Sequence, residues 1–166
     1  MDELFICKIA SAREMNIKWD YEISKNDDKE NWIAWKKRNL ENYRQGYIIP
    51  YYGILGESII CEATAMINPG VVQNSNGLVD GHTVYLSAFR TVDGFRGKGY
   101  FSKLFHFMID DLRKKGYTKA TLGVEPDEAE NKRIYAHFGF ADYIKSDKEY
   151  YPDGTVIDVE YYGKNL

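Results

Sequence analysis

The sequence predicts a mixed α/β domain: a twisted, mostly antiparallel sheet of about six to seven strands, flanked by helices. Three observations predict it. Apolar, β-branched segments pair off around short turn signals, as hairpins do. One apolar segment, residues 83–92, runs into an amphipathic helix and then another apolar segment, the pattern of a single parallel crossover. The 166 residues contain no repeat, low-complexity tract or linker, so one domain spans 1–166.

Residues 3–10 (ELFICKIA) read as the first strand. In DDKENWIAWKKRNLENYRQG, Asp27 or Asp28 is placed to cap a helix. Trp32, Trp35, Leu40 and Tyr43 share one side of it, and Gly46 follows its end. Segments 47–55 and 58–67 form a hairpin around Gly56-Glu57, and Asn68–Gly81 is a Gly/Asn/Pro-rich loop. In TVYLSAFRTV (83–92), alternation points Val84, Leu86, Ala88, Arg90 and Val92 one way, and Tyr85, Ser87, Phe89 and Thr91 the other. Both faces are largely apolar, as in a central strand.

The next helix carries one apolar stripe of Phe101, Leu104, Phe105, Met108, Ile109 and Leu112. Arg113, Lys114 and Lys115 suit its C-terminal dipole, and Gly116 stops it. Residues 118–124 read as a strand. A second helix opens at Pro126-Asp127, with Glu130 as capping-box partner, carries Ile134, Tyr135 and Phe138, and ends at Gly139. Segments 140–150 and 155–162 flank Pro152-Asp153-Gly154 as a closing hairpin.

Composition excludes several function classes. A formal net charge of −3 offers no general field to nucleic acid, so an anion must be held by a local site. No stretch has the length of apolar residues that spans a bilayer, and the first ten residues carry two acids and do not resemble a secretory signal. Cys7 and Cys61 stand far apart without a metal-spacing partner, which fits a reduced, cytoplasmic setting. His82, His106 and His137 have no ligand spacing, so no metal is expected. Cys61 has no suggestively spaced His and reads as a packing residue rather than a nucleophile.

The informative element is the glycine loop between a buried strand and a long helix, RGKGYF. The first amides of a helix lack internal partners and carry partial positive charge. Gly97 and Gly99 let a ligand approach the backbone, while Arg96, Lys98 and Lys103 add charge. Together they describe a phosphate or pyrophosphate site; taken alone, the same residues also make an ordinary tight connection. A Walker loop requires Ser or Thr directly after Gly-Lys, and here Gly99 and Tyr100 follow Lys98. A dinucleotide fingerprint fails at Ser102.

Two segments, VDGFRGKGYFSKLF and NKRIYAHFGF, resemble the GNAT family, the GCN5-related N-acetyltransferases. The first matches the family's pyrophosphate motif at Arg96 and Gly99 and departs from it at Phe101, where a small residue is usual. The second matches an Asn-then-Tyr helix ending in Gly-Phe, at Asn131, Tyr135, Gly139 and Phe140. The resemblance implies acetyl-CoA (coenzyme A) or another acyl-CoA as cofactor. Arg96, Gly97, Lys98, Gly99, Tyr100 and Phe101 would then hold the pyrophosphate, the backbone at Thr91 and Val92 the pantetheine arm, and Asn131 cofactor or helix. Tyr135 would protonate the departing thiolate. Homodimers are common in the family, though no interface is marked.

Such a transferase needs its amine neutral, hence a base or desolvation. Glu62, Glu125 and Asp93 are the candidate bases. A carboxylate on a strand is more often a solvated charge, and a helix tyrosine more often core. The acceptor is an amine of a small molecule or of a protein, and Trp32, Trp35, Tyr51 and Tyr52 are candidates to line its cleft. The competing reading is a non-catalytic acyl-CoA-binding sensor or interaction module.

Overall fold

A computed structural model describes residues 3–166. The chain runs β1 (Phe5–Ile9), α1 (Ala12–Lys25), α2 (Lys29–Arg44), β2 (Ile48–Leu55), β3 (Ser58–Met66), β4 (Thr83–Thr91), α3 (Tyr100–Lys114), β5 (Lys119–Val124), α4 (Ala129–His137), β6 (Asp142–Tyr150) and β7 (Val156–Asn165). The strands form one sheet in the order β1-β2-β3-β4-β5-β7-β6. Both expected hairpins form, and β4–β5 is the parallel pair reached by the α3 crossover. The last hairpin folds so that β7, not β6, lies against β5.

Consecutive residues of β2 serve opposite faces, as a period of two requires. Tyr51 joins a core with Val84, Leu86 and the α3 stripe of Leu104, Phe105, Met108, Ile109 and Leu112. Tyr52 joins Met15, Trp19 and Trp32 on the α1–α2 side. Each helix layer thus closes one face of the sheet.

Helix α1 is the element that the sequence reading passed over. Its buried side includes Lys18 and Glu22 beside Met15 and Trp19, so charge hides the apolar stripe. Its start was legible: Ser11 and Glu14 form a capping box, with Glu14 N donating to Ser11 Oγ (3.2 Å) and Ser11 N to Glu14 Oε1 (2.8 Å). Ser11→Ala should cost about 1 kcal/mol of unfolding free energy, read by urea denaturation; an unchanged midpoint would contradict the cap's role.

Two expected caps work differently. Asp28 stands at the N-cap of α2, but its carboxylate accepts from the Trp32 indole (2.9 Å) rather than from a backbone amide. Helix α4 begins later than expected, with Glu128 at its N-cap and no side-chain cap bond, so Asp127 and Glu130 form no capping box. Among the described residues, no helix is long and apolar enough to cross a membrane.

Candidate active site

Strand β4 departs from simple alternation at Ala88, whose φ of 58° lies in the left-handed region that non-glycine residues seldom enter. The register against β3 slips between Glu62 and Thr64, so two residues of β4 face one of β3. The bulge reverses the expected facing of everything after it. Phe89, not Arg90, shares the α3 side with Val84 and Leu86. Arg90 turns to the α1–α2 side, with its guanidinium 4.6 Å from the Trp32 ring centroid.

The pairing of β4 with β5 covers only Thr83–Leu86. Beyond Leu86 the two strands part, and the backbone of β4 facing β5 has no strand partner. Which amides face the gap follows from the ladder. Val92 N donates to Ile60 O (2.8 Å), and Thr91 lies opposite Cys61 in the next, alternate position. Antiparallel pairs alternate between bonded and unbonded, so Thr91, and two residues earlier Phe89, turn their amides to the gap. Thr91 O there accepts from Arg96 Nε (3.3 Å). This corrects the expectation at Val92: its amide is engaged by β3, and Phe89, which the sequence reading did not single out, takes its place.

The gap opens into a cleft of about 630 Å³ whose wall includes Phe89, Arg90, Thr91, Asn131 and Tyr135. Its other end is the glycine loop, where Arg96, Gly97, Gly99, Tyr100 and Phe101 line it. Gly97 (φ 73°) and Gly99 (φ 83°) hold left-handed conformations, and a Cβ added to either meets nothing within 4 Å. The requirement there is conformational, and the space above the backbone is open.

Gly99 caps α3 without any side-chain hydrogen bond. The first internal bond runs from Lys103 N to Gly99 O (3.2 Å), so the amides of Tyr100, Phe101 and Ser102 have no helical acceptor. Uncapped amides facing open space, beside the Arg96 charge, fit a diphosphate. Lys98 points elsewhere: it is exposed, sits 5.9 Å from the Phe95 ring, and does not line the cleft. Phe101, at the position usually small, packs its ring against Phe89 (5.4 Å) and Phe138 (5.8 Å), away from the helix start.

Tyr135 stacks edge-on against Phe89 at 5.6 Å. Burial, then the Glu128 charge, push its phenol up, and the Arg90 charge opposes them. The phenol therefore stays protonated at neutral pH and can donate a hydrogen. Asn131 Nδ2 donates to Glu128 Oε2 (2.8 Å), tying the cleft wall to the turn that precedes α4.

The three candidate bases lie in unlike surroundings. Glu62 is 3% exposed, accepts from Arg90 Nη1 (2.8 Å), and has Lys18 Nζ 3.5 Å from its other oxygen. Glu125 directly follows β5, and its carboxyl is pushed up to about 7 by contact with the Glu128 carboxyl, then by partial burial, then by the charges of Glu128, Asp127 and Glu149. Asp93 is largely exposed in the loop after β4, 3.5 Å from Arg96 and 3.8 Å from Lys25.

Of the residues expected to line an acceptor cleft, Tyr51 and Tyr52 are core, fully buried on opposite faces. Trp35 stacks at 5.1 Å on Tyr151, in the turn between β6 and β7. Asn31 and Asp153 exchange two bonds of 3.0 Å that pin this turn to α2. Among the described residues, no group of three or more His, Cys, Asp or Glu is arranged to hold a metal ion.

The comparisons with known proteins bear on the fold and the family. An IAA acetyltransferase from Bacillus cereus superimposes with a TM-score of 0.68 at 14% identity, covering 98% of this chain and 100% of its own. The ribosomal-protein-S18-alanine N-acetyltransferase of Escherichia coli gives 0.70 at 14% identity, with 98% and 94% covered. A protein from Salmonella typhimurium solved with acetyl-CoA gives 0.65 at 18% identity, with 98% and 94% covered. No curated protein matches the sequence. The sequence model described as the acetyltransferase (GNAT) family matches residues 11–140, from the cap of α1 to the Gly-Phe that ends α4. On that match the chain belongs to the GNAT family, the acyl-CoA-dependent N-acetyltransferases.

Proposed function

We propose that the chain transfers the acetyl group of acetyl-CoA to a primary amine by direct attack. The observation that carries this reading is the cleft itself: uncapped helix amides at one end, cleft-facing strand amides in the middle, and a half-buried phenol at the other. The Salmonella neighbour's acetyl-CoA supports the choice of cofactor. The amides of Tyr100, Phe101 and Ser102 bind the diphosphate, with Gly97 and Gly99 keeping the approach clear. Thr91 pairs with the pantetheine arm as a missing strand would, and the Phe89 amide faces the carbonyl oxygen that gains charge. Asn131 holds Glu128 in place.

Glu125 is the base. An alkylamine near pKa 10 is mostly protonated at neutral pH, and Glu125 is both accessible and raised toward the working range, whereas Glu62 is clamped between two cations. Once Glu125 has passed that first proton to solvent, the neutral amine attacks, the nitrogen gives its excess proton to Glu125, the C–S bond breaks, and Tyr135 gives its proton to sulfur. The structural neighbours are named for unlike acceptors, IAA in one and a ribosomal-protein alanine in another, so the fold does not choose between small-molecule and protein amines. Cys7 and Cys61, both free thiols, support a cytoplasmic setting.

The test is release of CoA thiol from acetyl-CoA across a panel of amines. Amine-dependent release is expected; CoA binding without turnover on any amine would contradict the reading. The pH profile tests the base. As an acid with a raised pKa, Glu125 works only above about 7, so kcat/KM should fall below that pH. Glu128→Gln removes the carboxyl contact and the nearest charge. It should move that acid limb down by about one unit; an unmoved limb would exclude Glu125.

A further inference from the structure

Arg90 has no part in the steps above, yet it is the most firmly held charge at the cleft. The bulge at Ala88 sets its direction. Its guanidinium lies over two indoles, 4.6 Å from the Trp32 centroid and 5.9 Å from Trp19, while Nη1 donates to Glu62 (2.8 Å). Glu62 is itself fixed, 3% exposed on the neighbouring strand, and its Oε2 is the buried side-chain oxygen without a hydrogen-bond partner among the described residues. Lys18 approaches that oxygen at 3.5 Å and also bonds Glu22.

Arginine carries five N–H donors, and among the described residues one of Arg90's is spent, on Glu62. The side chain keeps 30% of its surface and lines the same cleft as Tyr135. Glu62 is buried, while the Arg90 side of the pair is presented to the cleft.

We propose that Arg90 supplies the fixed positive charge against which the thiolate leaves, with Glu62 as its positioning residue. The proposal rests on the acetyltransferase reading and deepens it. As the C–S bond breaks, the electron pair goes to sulfur. As the Tyr135 O–H bond breaks and the S–H bond forms, the negative charge passes to the phenol oxygen, which recovers a proton from solvent. A cation already oriented at the cleft that Tyr135 also lines, with no reorganisation to make, lowers the energy of an anion formed there. The charged and titratable groups around it are Glu62 from β3, Lys18 and Glu22 from α1, Tyr52 from β2 and Tyr135 from α4, with Glu128 acting on Tyr135. Lys18 is shared between Glu22 and Glu62, and Arg90 is the member of this group that lines the cleft.

The test compares Arg90→Met, Arg90→Lys and the double variant Arg90→Met/Glu62→Gln with wild type. Removing Arg90 alone leaves a buried carboxylate short of its partner. If that variant fails to fold, the double variant, in which neither charge remains, carries the test. Two quantities are read: kcat with acetyl-CoA and an accepted amine, and the pKa of the thiol of bound CoA, followed by thiolate absorbance. In the double variant, kcat should fall roughly 30-fold and the bound thiol's pKa rise by about one unit, with CoA affinity changed by less than about threefold. Arg90→Lys keeps the charge and should hold the thiol near its wild-type pKa. An active double variant with wild-type kcat and an unshifted thiol would overturn the role of Arg90 and leave the enzyme reading standing. An Arg90-dependent thiol shift in a protein that acetylates no amine would overturn the enzyme reading instead.

Discussion

Replacing Tyr135 by Phe should lower kcat about 100-fold while leaving the Kd for CoA within about twofold. The ring's packing role is conserved in the variant: phenylalanine keeps the edge contact with Phe89 and the position on the cleft wall. Only the hydroxyl is lost, and with it the proton that the sulfur would take. The phenol is protonated at neutral pH from its ordinary value, and burial and Glu128 push it further up against the opposing charge of Arg90. Removing it affects the leaving step and not the bound state, which is the pattern of an interaction made in the transition state. Steady-state kinetics beside CoA titration checks this. Equal losses in both, or a kcat within a few-fold of wild type, would remove Tyr135 from the chemistry.

The second large effect belongs to the glycine loop. Gly99→Val should weaken CoA binding about 100-fold, through two causes that add. A β-branched residue at φ 83° is strained by roughly 1–2 kcal/mol, which shifts the N-cap of α3 and disorders the amides that follow it. The new side chain also enters the open space above those amides, at the proposed diphosphate site, since no protein atom lies within 4 Å to receive it. Binding of 3′-dephospho-CoA and of a pantetheine fragment separates the causes from a general loss of fold. The fragment lacks the diphosphate and should lose far less affinity than CoA. A uniform loss for both would contradict a site at this loop.

Much of the sheet was legible because its signals are local. Gly56-Glu57 and Pro152-Asp153-Gly154 mark hairpins that form, and the period of the α3 stripe names the residues that are buried. The glycine loop was legible for the same reason, since strand, glycines and helix are contiguous.

What was hidden depends on contacts distant in sequence. Helix α1 buries Lys18 and Glu22, which satisfy each other, so a hydrophobic pattern does not show it; the Ser11-x-x-Glu14 box was the available signal. The bulge at Ala88 leaves no mark in an unbroken apolar segment, because it arises from the register against β3. Consequently simple alternation puts Phe89 on the wrong face, leaves Val92 with an amide that Ile60 occupies, and sets Arg90 on the side of Val84 and Leu86. The raised carboxyl of Glu125 comes first from its contact with the nearby Glu128 carboxyl and then from partial burial, with Glu149 on another strand adding least, so its direction depends on how the turn after β5 folds.

The central claim is that main-chain amides after a split strand seat a diphosphate and so deliver a thioester to the wall that carries Tyr135. A structure of the CoA complex tests it most directly. The account predicts phosphate oxygens within hydrogen-bond distance of the amides of Tyr100, Phe101 and Ser102, the pantetheine beside Thr91, and sulfur next to Tyr135 and Arg90. CoA bound anywhere else, for instance in the separate cavity beside Ile6, Ile17 and Tyr21, would contradict it.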